Sequence, residues 1–350
     1  MKNKISLLLP FAGWFFLMPV INISAQDFSD AGAYMNYISE QYNDIRKDMM
    51  SYMSSIAHSK SARKEEKRRL EVMQTTKEVR SNIRKMKPFK EDATLRDSLV
   101  SFLTLSYNIL NYDYEKIVNM EEIAEQSYDA MEAYLTAQEI ANDKLDAAGD
   151  RLDSTVIAFA ARHDVKLVEE ADELTKKLVA ASEAIKYYNV IYLIFFKVYK
   201  QEAYMLNALS NNDFSGIEQN RFALIKEAEN GLEKIGGIKS YKGDMSLISS
   251  CKQLLTFYKK EADTDIPVII DFMMKKEKLE KLKSALESKT TFERTSEEID
   301  AYNKAVNDYN KSVNIANTKN TSLNNNRKRL LDQWENTVDN YMARQIPKYR

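Results

Sequence analysis

The sequence is poor in the residues that interrupt or cross-link a chain. Its 350 residues include one cysteine, five prolines, eight glycines and two histidines. The single cysteine, Cys251, excludes an intrachain disulfide. So few prolines and glycines argue against β-sandwiches, propellers and α/β enzymes with many glycine-rich loops. The composition therefore predicts an all-α protein made of long helices.

A surplus of charge of either sign is also missing. The chain carries 51 Lys+Arg against 52 Asp+Glu. Because nucleic-acid binding depends on a surplus of basic residues that neutralise phosphates, we predict no nucleic-acid partner.

The first 25 residues have the pattern of a secretory signal peptide. Two lysines precede an uncharged apolar stretch from Ile5 to Ile21, and a polar segment then ends on the small residue Ala25. The alternative is a retained membrane anchor, since about seventeen apolar residues nearly span a bilayer. Pro10 and Pro19 interrupt the stretch and favour cleavage after Ala25. We predict export to the periplasm, the cell surface or the medium, with no transmembrane span in the cleaved protein.

Apolar residues spaced by threes and fours predict the helices. The first such seam consists of Ala31, Met35, Ile38, Tyr42, Ile45, Met49, Tyr52 and Ile56. This spacing is typical of helices that pack nearly antiparallel in a bundle. We expect Ser215 to cap a helix that ends at Gly236-Gly237, and Thr295 or Ser296, with Glu298, to cap the last long helix.

The two halves of the chain share four sequence blocks in the same order. The paired blocks are 34–38 with 187–191, 89–92 with 241–244, 98–101 with 246–249, and 132–142 with 300–310. Four matches in order predict an internal duplication, with an insertion near 275–290 in the second half. The predicted fold is an elongated tandem of two four-helix-bundle-like units, one covering 26–166 and the other 167–350.

One of these blocks is a short polar loop that occurs twice. Its residues are Phe89, Lys90 and Asp92 in the first half and Tyr241, Lys242 and Asp244 in the second. In a structural interpretation the aspartate caps the following helix, and its removal costs about 1 kcal/mol. In a functional interpretation the loops form a ligand site, with the lysines and carboxylates facing solvent.

A stripe of amides lies along one side of the last predicted helix. Its members step by fours and threes beside an apolar seam: Asn303, Asn307, Asn310, Asn314 and Asn317. These amides can bond to a neighbouring helix, or they can form a stripe that binds a sugar or a peptide.

Motifs for catalysis are missing from the chain. His58 and His163 lack a second ligand at helical spacing, so we predict no metal. No glycine-rich phosphate loop and no Gly-x-Ser-x-Gly motif is present. We therefore predict no cofactor and no enzymatic activity.

The signal-like N-terminus, the paired loops and the Glu/Asp-Ala-Tyr-x-x-Ala-x4-Asn block at 132–142 and 300–310 resemble those of an uncharacterised family of exported, helix-rich bacterial surface proteins. The resemblance implies an exported bacterial helical protein and no particular activity. Some members of that family carry a lipidated cysteine, which this chain lacks.

Export, helical surfaces and the missing catalytic motifs favour a non-enzymatic envelope or surface protein that binds a protein or a glycan. The alternative is a helical pore-former that inserts the apolar segment Val190–Phe196 into a membrane.

Overall fold

The computed structural model describes residues 28, 30–59, 61–113, 127–167 and 172–349. In these ranges the regular structure is helical, with two isolated β-bridges and no strand, so the all-α prediction is confirmed. The predicted signal peptide, residues 1–25, lies outside the described residues.

Nine α-helices occupy the described ranges. They are α1 (Ala31–His58), α2 (Ala62–Lys85), α3 (Thr94–Asn108), α4 (Tyr128–Arg162), α5 (Glu173–Ser210), α6 (Phe214–Gly237), α7 (Ser246–Lys260), α8 (Ile266–Glu287) and α9 (Ser296–Gln345). Two π-helical segments directly follow α3 and α7: the first π segment is Ile109–Asp113 and the second is Glu261–Asp265. A 3₁₀ turn, Thr291–Glu293, lies between α8 and α9.

The chain divides into two compact units. One comprises the described residues up to Val190 together with those from Val338, and the other comprises Ile191–Thr337. Helices α5 and α9 therefore contribute residues to both units. The repeat boundary expected at 166/167 is a different division of the chain, and it stays a prediction.

The seam of α1 forms much of the core of the first unit. All eight of its predicted residues are buried, with at most 5% of any of them exposed. In the second unit, the rings of Phe195 and Trp334 lie 4.9 Å apart and are fully buried. Spacing by threes and fours therefore identified core residues correctly, because it places them on one face of a helix.

The helix starts were predicted with mixed success. Thr295 and Glu298 form reciprocal hydrogen bonds at the start of α9, as a capping box requires. The prediction for α6 was wrong, because Asp213 rather than Ser215 accepts from the backbone N–H of Gly216, at 3.0 Å. Ser215 lies inside the first turn, where its side chain cannot take the cap position.

A run of elements recurs at a constant spacing. Helices α2 and α3 and the first π segment each begin and end 152 positions before α6, α7 and the second π segment. The capping residues Ser61 and Asp213 have the same spacing. The proposed match of 98–101 with 246–249 was therefore wrong by one helical turn: at this spacing Leu95 corresponds to Leu247, and both are buried.

An arginine holds each π segment in the same way. Arg69 of α2 donates to the carbonyl of Leu110 at 3.0 Å, and Arg221 of α6 donates to the carbonyl of Ala262 at 3.3 Å. Each guanidinium also pairs with a glutamate one turn earlier on its own helix. The two arginines therefore connect neighbouring helices at the wider π turns.

Helix α8 and the first part of α9 form a helical hairpin in the second unit. We call residues 266–318 the arm. The rings of Phe272 and Tyr309 stack at 5.6 Å, and Lys289 forms an ion pair with Glu298 near the turn. Beyond Ile266, every residue of α8 is at least partly exposed. The insertion expected near 275–290 falls within this arm.

Helix α5 is long and apolar enough to cross a membrane by length and composition. It has 38 residues, its most apolar window has a mean hydropathy of 1.2, and half of that window is buried. Core helices of soluble proteins have the same properties. In its segment Val190–Phe196, Ile191 and Phe195 are fully buried, whereas Val190 is 55% exposed.

We expect Arg69→Met and Arg221→Met each to reduce the free energy of unfolding by about 1.5–3 kcal/mol, because each leaves a carbonyl of a π segment without its charged donor. Urea unfolding measures the loss. Arg68→Met is the control, since Arg68 only pairs with Glu71 on the surface of α2 and should cost at most about 0.5 kcal/mol. Losses as small as the control's would contradict this role of the two arginines.

Candidate functional site

The two polar loops have the same turn geometry. Lys90 and Glu91 have φ of 46° and 70°, and Lys242 and Gly243 have φ of 50° and 81°. Positive φ at both central residues is the type I′ turn. A single antiparallel bridge closes each turn, between Phe89 and Asp92 and between the matching residues 241 and 244. The sequence did not reveal this turn type, because Lys-Glu is not one of its usual residue pairs.

Both aspartates accept a backbone hydrogen bond at the start of the next helix. Asp92 accepts from the N–H of Thr94 at 2.9 Å, and Asp244 accepts from the N–H of Ser246 at the same distance. The expected bond to the first turn is therefore present, but the aspartates were wrongly placed at the cap: Ala93 and Met245 are the N-cap residues, and neither helix has a side-chain cap bond. The lysines between them are exposed, and each ammonium lies over the aromatic ring that precedes it, at 5.3 Å for Lys90 and at 4.8 Å for its counterpart in the second loop.

In the first loop the carboxylate also binds the end of α4. Arg162 donates to Asp92 Oδ2 from Nε and Nη2, at 3.0 and 2.9 Å, and His163 Nε2 lies 3.0 Å from the same oxygen. The Thr94 hydroxyl donates to Oδ1 at 2.6 Å. Asp92 thereby connects the start of α3 to the end of α4. Sequence reasoning missed Arg162 and His163, whose only signal was a basic pair at a helix C-terminus.

These bonds set the charge of the carboxylate. Burial alone raises the pKa of Asp92, but the hydrogen bonds from Thr94, His163 and Arg162 outweigh it and hold that pKa well below its usual range. Asp92 is therefore an anion over the whole physiological pH range, and it has no proton to exchange in catalysis.

Aromatic rings fill the space beneath the first loop. The ring of Phe89 contacts those of Tyr34 and His163 at 5.6 and 5.0 Å, and Phe159 stacks on Tyr34 at 5.7 Å. Burial raises the pKa of Tyr34 to about 12. Through this packing the loop connects the helices around it, which favours the structural interpretation for Phe89 and Asp92.

The amide stripe has a different environment. All five of its asparagines, 303, 307, 310, 314 and 317, are exposed on the arm. In the described part of the chain none of these amides makes a side-chain hydrogen bond to a neighbouring helix, so that interpretation was wrong. The reason is that the arm has only two helices, and the stripe faces away from the other one.

A buried ionic cluster lies in the second unit, and sequence reasoning missed it. Arg327 of α9 forms ion pairs with Glu202 of α5 and Glu261 of the second π segment. The two carboxylate side chains are 2% and 0% exposed, and the guanidinium side chain is 15% exposed. A signal was present, since Glu202 occupies a seam position of α5 between the buried residues Val198 and Met205.

The two carboxyl groups of the cluster influence each other's protonation. Burial raises the pKa of Glu261, and the neighbouring carboxyl of Glu202 raises it further, against the opposite effect of Arg327. Among the described residues, no group of three or more His, Cys, Asp or Glu side chains could hold a metal ion.

Comparisons with known proteins found no matching family model, no matching curated protein and no matching solved structure. The resemblance to exported bacterial surface proteins therefore stays a prediction from the motifs.

We expect Asp92→Ala to reduce the free energy of unfolding by about 1–3 kcal/mol at pH 7, because the backbone bond from Thr94 and the charge-assisted contact with Arg162 are lost together. Asp244→Ala should cost about 1 kcal/mol. Since the pKa of Asp92 is lowered in the folded protein, its contribution is fully present above its ordinary pKa of 3.8 and is lost as the pH falls below that value.

Urea unfolding of Asp92→Asn and wild type at several pH values tests this sign. The two proteins should differ at pH 7 and converge towards pH 2. Asp97→Asn is the control, because Asp97 is a largely exposed carboxylate nearby. A difference between wild type and Asp92→Asn that does not change with pH would contradict the assigned bonds.

Proposed function

We propose that the protein is a non-enzymatic, exported bacterial envelope or surface protein that binds a partner protein along the arm. The observation that carries the proposal is the incomplete burial of the arm's apolar residues. Met274, Phe292, Ile299 and Ile315 are 58%, 101%, 42% and 59% exposed. Two helices alone cannot cover apolar residues on several of their faces, and a third helix would do so.

A groove at the base of the arm is the best place for such a helix. It has a volume of about 350 Å³ and lies between α8 and α9, with Val268 and Ile315 among its lining residues. Lys275 and Lys311 also line it. Lys275 already pairs with Asp271 at 2.6 Å. An amphipathic helix whose apolar face contacts Val268 and Ile315 fits this groove.

Charge over the whole arm is balanced. Residues 266–318 contain nine Lys or Arg and nine Asp or Glu. Long-range attraction to a charged polymer is therefore weak, which favours a partner held by apolar contact over an anionic one.

The exposed amide stripe supports recognition on the same hairpin. An asparagine side chain both donates and accepts hydrogen bonds, so Asn307, Asn310 and Asn314 can bond to the backbone ends or polar side chains of a partner. A glycan offers the same chemistry, and the experiment below distinguishes the two ligands.

We further infer that the chain arose by internal duplication and that the arm was added to the second copy. The constant spacing of α2, α3 and the first π segment from their counterparts supports this history. So do the matching arginine contacts of Arg69 and Arg221. A segment added to one copy of an otherwise repeated unit is a natural place for a function that the other copy lacks.

We expect Ile315→Ser to weaken binding of the partner about tenfold, since it removes an apolar side chain that lines the groove. A photo-crosslinking residue at Lys311 identifies the partner in an envelope extract of the producing cells. The purified partner is then titrated calorimetrically against wild type and variant, at low and high salt.

Leu70→Ser is the matched control, because Leu70 is 49% exposed on α2, which belongs to the other compact unit. It should leave the affinity unchanged, and salt should have little effect on the wild type. Equal affinities of Ile315→Ser and wild type, or crosslinks to carbohydrate alone, would contradict the protein-binding proposal.

A pore-forming role is the second candidate, and the apolar composition of α5 is the observation that favours it. Under the leading proposal we expect no dye release from liposomes by the purified protein. A charge at Phe195 would not test the pore, because that ring is fully buried against Trp334. Val190→Asp is suitable, since Val190 is 55% exposed. Dye release that Val190→Asp abolishes would favour the pore.

A further inference from the structure

The cluster of Glu202, Glu261 and Arg327 has more negative than positive groups. Arg327 donates to both carboxylates, but one guanidinium carries one positive charge. Glu261 Oε2 is buried, and no hydrogen-bond donor of the described residues faces it. Two buried carboxylates beside one arginine leave a net negative charge unless one of them is protonated.

Groups on the neighbouring elements do not supply the missing positive charge. Tyr258 of α7 lies near both carboxylates, Tyr199 of α5 lies near Tyr258, and both hydroxyls are neutral when protonated. On α6, Arg221 pairs with Glu218 and donates to the carbonyl of Ala262. On α9, Lys319 pairs with Asp265 at 2.7 Å.

We propose that one proton, held between the carboxyl groups of Glu202 and Glu261, keeps the second π segment packed on its neighbours. Loss of this proton increases local opening of that segment and of the start of the arm. The proton is bound to Glu261 Oε2, the oxygen that no donor faces, and the resulting O–H donates a hydrogen bond to the carboxylate of Glu202. When it is lost, two carboxylates repel each other across one guanidinium in a buried site.

The position of Glu261 connects this proton to the arm. Glu261 is the first residue of the second π segment, and Ile266, which follows the last, is the first residue of α8. Beyond Ile266 no residue of α8 is buried. The π segment is therefore one of the two connections of the arm to the rest of the second unit, the other being the continuous helix α9. Contacts with Arg221, Lys319 and Arg327 hold the π segment in place.

The direction of the pH effect follows from the raised pKa of Glu261. Burial, and then the charge of Glu202, raise that pKa from its ordinary value of 4.5 to well above neutrality. The unfolded or opened segment therefore releases its proton at a lower pH than the closed one. The contribution of this proton to the stability of the closed segment is fully present below the ordinary pKa of 4.5. It declines as the pH rises from there to the raised pKa.

The first half of the chain provides a matched control. The position 152 residues before Glu261 is Ile109, which also begins a π segment and is 1% exposed. Arg69 holds that segment as Arg221 holds the second. The first π segment therefore has the same backbone class and arginine contact, with an apolar residue in place of the titrating carboxyl.

Amide hydrogen exchange of the full chain tests the role of this proton. Protection factors, corrected for intrinsic exchange, are measured by mass spectrometry at pH 7 and pH 9.5. We expect peptides covering 261–272 to lose about tenfold or more in protection at the higher pH, while peptides covering Ile109–Asp113 keep theirs. Glu261→Gln, which stays uncharged at both values, should keep the protection of 261–272 as well.

Three results would overturn the proposal: no loss in 261–272, an equal loss in both π segments, or the wild-type loss retained in Glu261→Gln. Should Glu261→Gln not fold, Glu202→Gln replaces it, since a single carboxylate then faces Arg327 and the pH effect should again vanish. The test does not depend on what the arm binds, so its outcome is independent of the proposed function.

Discussion

Each apolar seam in this protein needs a second surface to cover it. In the first unit this requirement is met, since the seam of α1 is almost completely buried. On the arm it is met only in part: Tyr302, Val306 and Tyr309 of α9 remain half-exposed beside a single partner helix. The same pattern of threes and fours thus gives a closed core in one place and an open surface in another, depending on how many helices are available.

Sequence periodicity predicted the helices well because burial on one helix face leaves a direct trace in the spacing of apolar residues. It predicted the end of α6 at Gly236-Gly237, because glycine favours the end of a helix. It did not predict the π segments, since one extra residue per turn changes the spacing no more than ordinary variation does. It also misaligned 98–101 with 246–249, because Thr94-Leu95 and Ser98-Leu99 begin similar patterns one turn apart.

The polar contacts were harder to predict, because they join residues that are distant in sequence. The bond from the first N–H of α3 to Asp92 was expected from the sequence because it is a local interaction, although Ala93 and not Asp92 occupies the N-cap position. Its contacts with Arg162 and His163 span about seventy positions and leave no periodic trace. In the ionic cluster, Arg327 lies 125 and 66 positions after its two partners. A carboxylate at a seam position, such as Glu202, is the one local sign that a distant partner must exist, because an unpaired buried charge is too costly to keep.

A buried ionic cluster is a weak source of stability, and apolar residues of similar volume often replace such clusters without loss. This chain contains the comparison itself, since the π position that carries Glu261 in the second half carries buried Ile109 in the first. An apolar residue is therefore compatible with this local geometry, and the carboxylate is not required merely to form a π segment. The charged version occurs in the half that has the arm, at the segment from which the arm begins. Stability alone does not account for that coincidence, whereas a proton-dependent attachment of the arm does.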